Sequence, residues 1–457
     1  MNRAFPILVV CLLVGCVSAP TVQVVPDIVQ EFEAGESHER TGQWWQALGD
    51  KDLDGLIALG LADSPSAQIA LARLGQAEES LKVAQAARWP ALVGLANRDS
   101  RKISGPGTDT RADLGVLELT WDVGLWGKRR LEIQEASEFR AQRWFEHQAV
   151  QLSLSSAIAD IYYQIIEQRI QRTLLAAQLE VSRNLEDLIE ERFRRGQARA
   201  SELYQQKEST ASLVQFKVVN DTNIEVLEKS LDVLLGQVPD TEPRVASVKM
   251  PSTPERIHMS GVEDLVRYRA DIRAGFSRLK QVAARAGVQF AERLPSLQVS
   301  ANLTSLAQKT MSTEWFGHGL DLRVPIFTGG ELRALEAQAL YALEEERQRY
   351  LEVWLAALEE VSSLNWQFDQ QRKVIETLEA RRGFAEQALN AARNRYVLGD
   401  QNYLDVLTAL RGLQETDRLL VAERRILVTL WVENLESIGQ HMCADLSDCE
   451  DNWRLSG

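Results

Sequence analysis

The residues of this chain that could do chemistry are few and widely spaced. Glu202 and Asp405 each stand six positions beyond a glycine, Gly196 and Gly399, and each opens a run of helix-forming residues. A carboxylate in the first turn of a helix is favoured by the positive end of the macrodipole, so the plainest role of both is to start a helix. Catalytic arrangements are missing from the sequence. It holds no CxxC pair and no HExxH, its five His are scattered, and five Met are too few for a soft-metal cluster. No glycine-rich phosphate loop follows a strand pattern. Without an acid/base pair, a nucleophile constellation or metal spacing, the chain does not read as an enzyme or a metal binder.

The four cysteines divide into two groups. Arg3, the apolar run Ala4 to Leu12 and then Leu13-Val14-Gly15-Cys16 form a targeting segment too short to span a bilayer as a helix. The last four residues resemble a bacterial lipobox, which implies cleavage before Cys16 and acylation of its thiol and new amine. An ordinary secretory signal with an incidental cysteine is the plainer alternative. In lipoproteins, a residue other than Asp after the cysteine, here Val17, favours the outer membrane. No cofactor is expected beyond the covalent lipid on Cys16. Cys11 leaves with the signal. Cys443 and Cys449 suit a small disulfide loop in an exported chain, and equally two free thiols in a tail.

The formal net charge is −14, and Arg3 is the only charged residue before Cys16, so the cleaved chain carries −14 − 1 = −15. An acidic chain without basic tracts is a poor nucleic-acid binder. It also gains little from anionic lipid head groups.

The elements that must position these residues come twice. A chain of 457 residues ordinarily suggests two or three domains. Here Gly127 to Gly196 spans 69 positions, and so does Gly330 to Gly399. Arg192-Phe-Arg-Arg-Gly196 matches Arg395-Tyr-Val-Leu-Gly399 at a shift of 203. Leu74, Val83 and Arg88 match Leu279, Val288 and Arg293 at a shift of 205. Two copies of one unit follow.

Each copy holds a strand pair and a very long helical pair. Leu297, Val299, Ala301 and Leu303 alternate with polar residues, and Phe316, Leu320, Leu322, Val324 and Ile326 share one face opposite Gly317, Gly319, Asp321 and Arg323. In the first copy Leu117, Leu119, Trp121 and Val123 alternate with Glu118, Thr120 and Asp122. A half-buried sheet in a soluble domain reads this way, and so does a transmembrane barrel of strands about 9–11 residues long. Trp121, Trp126, Trp315 and Phe327 could then form an interfacial girdle. Four strands cannot close a barrel, and an open edge is not tolerated in lipid. Spanning strands would therefore require several protomers to share one barrel. Residues 128–195 contain no Gly or Pro, 197–235 are likewise unbroken, and 331–398 and 400–438 contain only Gly383 and Gly412. Glu, Gln, Arg, Ala and Leu dominate there, which predicts helices far longer than the usual 11–12 residues. Gly196 and Gly399 then read as the turns of two long helical hairpins.

This order resembles the TolC-type outer-membrane factor family, in its lipoprotein (NodT-type RND efflux) branch. The residues that carry the resemblance run from Trp44-Trp45, Asp50 and Leu56-Ile57 through Trp121-Asp-Val-Gly-Leu-Trp126-Gly127. They continue in Val324-Pro325-Ile-Phe327-Thr-Gly329-Gly330, Arg395-Tyr396-Val-Leu-Gly399 and Tyr403-Leu404-Asp405-Val-Leu407.

The resemblance implies a mixed fold of long helical hairpins forming a periplasmic α-barrel, with four strands per protomer in a trimeric 12-stranded transmembrane β-barrel. It implies a passive outer-membrane exit duct, lipid-anchored, with most of its mass in the periplasm. Its implied partners are two further copies of itself, a periplasmic adaptor (membrane fusion) protein, an inner-membrane transporter of RND type and outer-membrane lipid. By the same resemblance, Leu404, Asp405 and Thr408 line a periplasmic constriction. There a ring of carboxylates attracts cations, although Thr408 stands where the family often has a second acid. Arg195, Gly196, Val397, Leu398 and Gly399 become adaptor-contact tips, and Gln298, Asn302, Asp321 and Arg323 line the barrel lumen.

The implied boundaries are a signal at 1–15, an anchored extension and the start of the first helix at 16–61, and a first repeat at 62–240. That repeat has its strand hairpin near 90–123 and its helical hairpin at 127–236. A linker at 241–261, a second repeat at 262–440 (strands near 295–326, helices 330–438) and a tail at 441–457 complete the chain. The outer-membrane component of a type I protein secretion system is the functional alternative. A non-channel coiled-coil lipoprotein is the structural one, although a spacer needs no amphipathic strands.

Overall fold

A computed structural model describes residues 43–102, 109–240, 242–251, 268–308, 311–398, 400 and 402–439. Cys16, Gly399, Cys443 and Cys449 lie outside the described residues, as do the signal, much of the 241–261 linker and the tail. The described chain packs as two units, one holding residues 72–146 and 271–353, the other 43–71, 147–270 and 354–439.

The first unit contains the sheet. Strands β1 (Ala91–Lys102), β2 (Asp109–Asp122), β3 (Ser296–Gln308) and β4 (Met311–Arg323) pair antiparallel in the order β1-β2-β3-β4. At 12 to 14 residues they are longer than the sequence predicts. The apolar alternation marks only part of each strand. Backbone pairing continues past it into polar hairpin ends, as at Arg101 opposite Thr110, because ladder hydrogen bonds do not depend on side-chain polarity.

The strand-to-helix corner is held by polar bonds. Gly124 adopts φ +62°, its N–H reaches Asp122 Oδ1 at 2.9 Å, and Arg129 pairs with Asp122 at 2.8 Å. Helix α5 (Ala270–Ala291) flanks this corner, and its Glu292 neighbour pairs with Lys128 at 2.5 Å.

The second unit holds the turns and most of the residues of two helical hairpins, of which residues 128–146 and 331–353 belong to the first unit. A short 3-10 helix, Trp44–Leu48, precedes α1 (Lys51–Asp63), which bends by 45° into α2 (Pro65–Ala86). Helices α3 (Lys128–Arg194) and α4 (Ala200–Leu234) have 67 and 35 residues, and α6 (Glu331–Val397) and α7 (Tyr403–Ser437) also have 67 and 35. At 1.5 Å per residue a 67-residue helix is about 100 Å long. No single described helix is long and apolar enough to cross a membrane; the bent pair α1 and α2 passes that test by composition only.

Trp44 and Trp45 are buried in this unit. The Trp44 indole donates to Ser155 Oγ at 3.0 Å and its ring lies 6.5 Å from Trp431. Asp50 caps α1 through the N–H groups of Asp52 and Leu53 and accepts the Tyr162 hydroxyl at 2.8 Å. Burial, reinforced by Asp50, pushes the Tyr162 phenol well above its ordinary range.

The helices are tied to each other through amide side chains that donate to backbone carbonyls. Gln171 donates to the Arg418 carbonyl at 2.8 Å, Asn220 to Gln168 at 3.0 Å, Gln371 to Glu423 at 3.0 Å and Gln206 to Ser182 at 2.7 Å. These bonds explain how Ser- and Gln-interrupted apolar stripes still pack: the amide nitrogens of Gln171, Asn220, Gln371 and Gln206 each meet a carbonyl.

Both hairpins turn and close alike. Gln197 N–H reaches the Arg192 carbonyl at 2.7 Å, and Asp400 N–H reaches that of Arg395 at 3.0 Å, 203 residues on. Gly196 sits at φ +71°, the left-handed region that ends a helix. At the bases, Gly236 (φ +73°) and Gly439 (φ +66°) each abut backbone. A Cβ on Gly236 would fall 2.4 Å from the Asp63 carbonyl oxygen, and one on Gly439 2.7 Å from that of Tyr268.

Candidate channel wall and mouth

The register sorts the sheet into two faces. Residues directly opposite in an antiparallel pair share a face. Leu297 faces Leu322, Val299 faces Leu320, Leu303 faces Phe316, and Leu117 and Trp121 face Leu303 and Val299. At these positions that face is apolar across β2, β3 and β4; His318, opposite Ala301, interrupts it, and Glu314, opposite Ser305, lies toward the hairpin end. The opposite face pairs Gln298 with Asp321, Ser296 with Arg323 and Asn302 with Gly317. All four predicted polar-face residues therefore lie together. Glu118, opposite Asn302, and Asp122, opposite Gln298, join them; the strand parity of β2 already carries that signal.

The aromatic girdle is corrected in part. Trp121 is on the apolar face and donates its indole N–H to the Arg88 carbonyl at 3.0 Å. Trp315 is not: it lies opposite Thr304, on the polar face, and Phe316 takes the apolar position. Neighbouring strand residues point to opposite faces, so a shared tryptophan type could not place both rings outward. Trp126 is off the strands altogether. It holds φ +61°, sparsely allowed for a side-chain-bearing residue, and its indole N–H bonds the Pro295 carbonyl at 2.7 Å. It works as a brace at the corner. Phe327 stands free of the sheet and almost fully exposed.

The predicted mouth residues also come together. Leu404, Asp405 and Thr408 are all exposed on one face of the first turns of α7, and the Thr408 hydroxyl donates to the Leu404 carbonyl at 2.8 Å. The opposite face buries Tyr403, Val406, Leu407 and Leu410. Tyr403 and Leu407 pack with Ile189 and Leu203 of the first hairpin. The Tyr403 hydroxyl donates to the buried Gln206 Oε1, and Gln206 in turn donates to Ser182. This link joins positions 197 residues apart, and no sequence pattern marks it.

Glu202 differs from its counterpart. It is half-buried, near Tyr396, whose phenol is pushed up first by burial. Arg192, stacked 4.9 Å over that ring, opposes the rise and Glu202 adds to it. Among the tips, Val397 and Leu398 are exposed, and Arg195 bonds Glu191 at 2.9 Å. No group of His, Cys, Asp and Glu able to hold a metal occurs among the described residues.

Residues 56–237 and 262–433 match the family model described as outer membrane efflux protein. The chain belongs to the outer membrane efflux protein family. It is 28% identical to the pyoverdine export outer membrane protein OpmQ of Pseudomonas aeruginosa, over 93% of each chain. It is 24% identical to the probable outer membrane lipoprotein SilC of Salmonella typhimurium, covering 90% of this chain and 92% of that one. The outer membrane protein VceC of Vibrio cholerae superposes with a TM-score of 0.80 at 27% identity, over 88% of this chain and 100% of that one. The mostly helical fold with four antiparallel strands is thus that of an outer-membrane channel, and the efflux protein acts in export across the outer membrane.

Proposed function

We propose that three copies of this efflux protein form one passive exit duct, with 3 × 4 = 12 strands closing a barrel in the outer membrane. The observation that carries the reading is the sheet itself. It has one apolar face, and its order leaves β1 and β4 unpaired on their outer edges. Open edges are not tolerated in hydrocarbon, so closure needs further copies. Within that barrel the face bearing Glu118, Gln298, Asn302, Asp321 and Arg323 lines the lumen, while Trp121 anchors the outer face.

The chain is two copies of one unit. The equal helix lengths, the turn bonds 203 residues apart and the paired glycines Gly236 and Gly439 support this. Lipid on Cys16 tethers each protomer, as the lipoprotein relative favours. A periplasmic adaptor meets the tips and joins the duct to an inner-membrane transporter of RND type. The cargo is small molecules of the drug type, chosen by the transporter. Leu404, Asp405 and Thr408 form the periplasmic constriction.

Folded trimer reconstituted into planar bilayers should give stepwise conductance. Intact trimer without conductance would end the conduit reading. Radiolabelled palmitate should enter the wild type and not Cys16→Ser; label persisting in the variant would end the anchor assignment.

A further inference from the structure

The two helical turns carry matching backbone hydrogen bonds and differ in chemistry. Arg194-Arg195 in the first stand where the second has Val397-Leu398, each pair just before the turn. Arg195 N–H bonds the Glu191 carbonyl at 3.2 Å and Leu398 N–H bonds that of Asn394 at 3.2 Å, so the positions are geometrically matched. The side chains of Arg194 and Arg195 are each 66% exposed, and Val397 and Leu398 are 82% and 79% exposed.

Residues 192–199 hold four arginines and no acid, whereas 395–402 hold one arginine and one aspartate. Among the described residues, Arg194 and Arg195 pair with Glu190 and Glu191 one helical turn back. Exposed pairs of this kind contribute little and exchange readily with other carboxylates.

We infer that the two turns are chemically distinct docking points for a single periplasmic partner. The first receives a carboxylate-bearing helical end, and the second receives an apolar one. This rests on the duct reading, in which such turns meet the adaptor. Charge governs encounter and its salt sensitivity at the first turn, while burial of Val397 and Leu398 governs contact at the second. In a threefold assembly the ring of six turns alternates between the two chemistries, which fixes which partner end meets which turn.

The test is surface plasmon resonance of full-length trimer in detergent against its cognate adaptor, at several sodium chloride concentrations. Wild-type affinity should fall with salt. Arg194→Gln with Arg195→Gln should lose about tenfold at low salt and flatten that dependence. The Lys pair at the same positions should retain it. Val397→Ser with Leu398→Ser should lose about tenfold at every salt concentration with the slope kept. An unchanged slope in the glutamine variant, or equal flattening in both variants, would overturn the inference. Wild-type trimer that conducts in bilayers yet does not bind the adaptor would overturn it too, leaving the duct standing.

Discussion

The two helical hairpins agree in backbone at their bases and turns and diverge in side chains along their length. At the bases Gly236 and Gly439 both lie against backbone that leaves no room for a Cβ, and at the turns the same hydrogen bonds recur. Between these points the side chains part company. The first hairpin ties Arg169 to Glu228 at 2.9 Å, both nearly buried. The position corresponding to Glu228 in the second holds Trp431, packed against Trp44. Exposed Asp405 corresponds to half-buried Glu202. The difference teaches where the copies were free to change. Backbone-to-backbone contact admits only glycine, whereas a facing side chain can be exchanged for another that also satisfies its neighbour.

The largest expected effect tests the agreement. Gly236→Ala and Gly439→Ala should each cost at least about 3 kcal/mol, because both left-handed backbone and a clash with carbonyl atoms oppose the new methyl. Thermal unfolding that spared either variant would break the equivalence.

Next, Arg169→Ala should cost roughly 3 kcal/mol by leaving Glu228 buried without its cation. In the second hairpin Arg424→Ala, which opens the exposed pair with Glu379, should cost less than about 1 kcal/mol. Equal losses in urea titrations would deny that the first hairpin depends more on buried charge.

Tyr403→Phe removes the hydroxyl that satisfies Gln206 between the hairpins and should cost about 1–2 kcal/mol. A gain in stability would mean that the amide finds another donor.

Acidity separates the bases further. Glu436 stands where the first hairpin has Val233. Burial pushes its carboxyl above the ordinary range, and Glu360 adds to this while Arg269 opposes it. A raised carboxyl favours the folded state below its unfolded pKa, and that contribution is lost as pH rises through the folded value. Glu436→Gln should therefore raise the melting temperature at neutral pH by a few degrees and weaken the gain seen on mild acidification. A variant with the wild-type pH profile would remove Glu436 from this role.

The smallest effect is at the mouth. Asp405→Asn should lower cation preference in bilayers on the order of twofold, and Glu202→Gln should not. Equal responses would erase the distinction between the two carboxylates.

Much of this was legible in the chain. The strand faces follow from a period of two, and the helix limits from the absence of Gly and Pro between Lys128 and Arg195. Exposed Leu404, Asp405 and Thr408 follow from helical spacing past the turn. The parity that puts Phe316 on the apolar face also puts Trp315 on the polar one, but residue type outweighs it in the girdle reading. Not legible were Trp126 as a brace, the Tyr403–Gln206 link, and the bases at Gly236 and Gly439. Each depends on a partner far along the chain: Pro295, Gln206, Asp63 and Tyr268. Local periodicity carries no information about such partners.

The amide side chains that bond neighbouring carbonyls have a consequence for mutational tolerance. The carbonyls of Arg418, Glu423, Gln168 and Ser182 belong to the main chain and persist when those side chains change, even where the side chains of Glu423, Gln168 and Ser182 also accept from the same amides. The side chains of an accepting helix can thus change while the carbonyls that align the helices are kept. Only the donors, Gln171, Gln206, Asn220 and Gln371, are held to their type. A handful of glutamine and asparagine positions thereby leaves a long wall open to change.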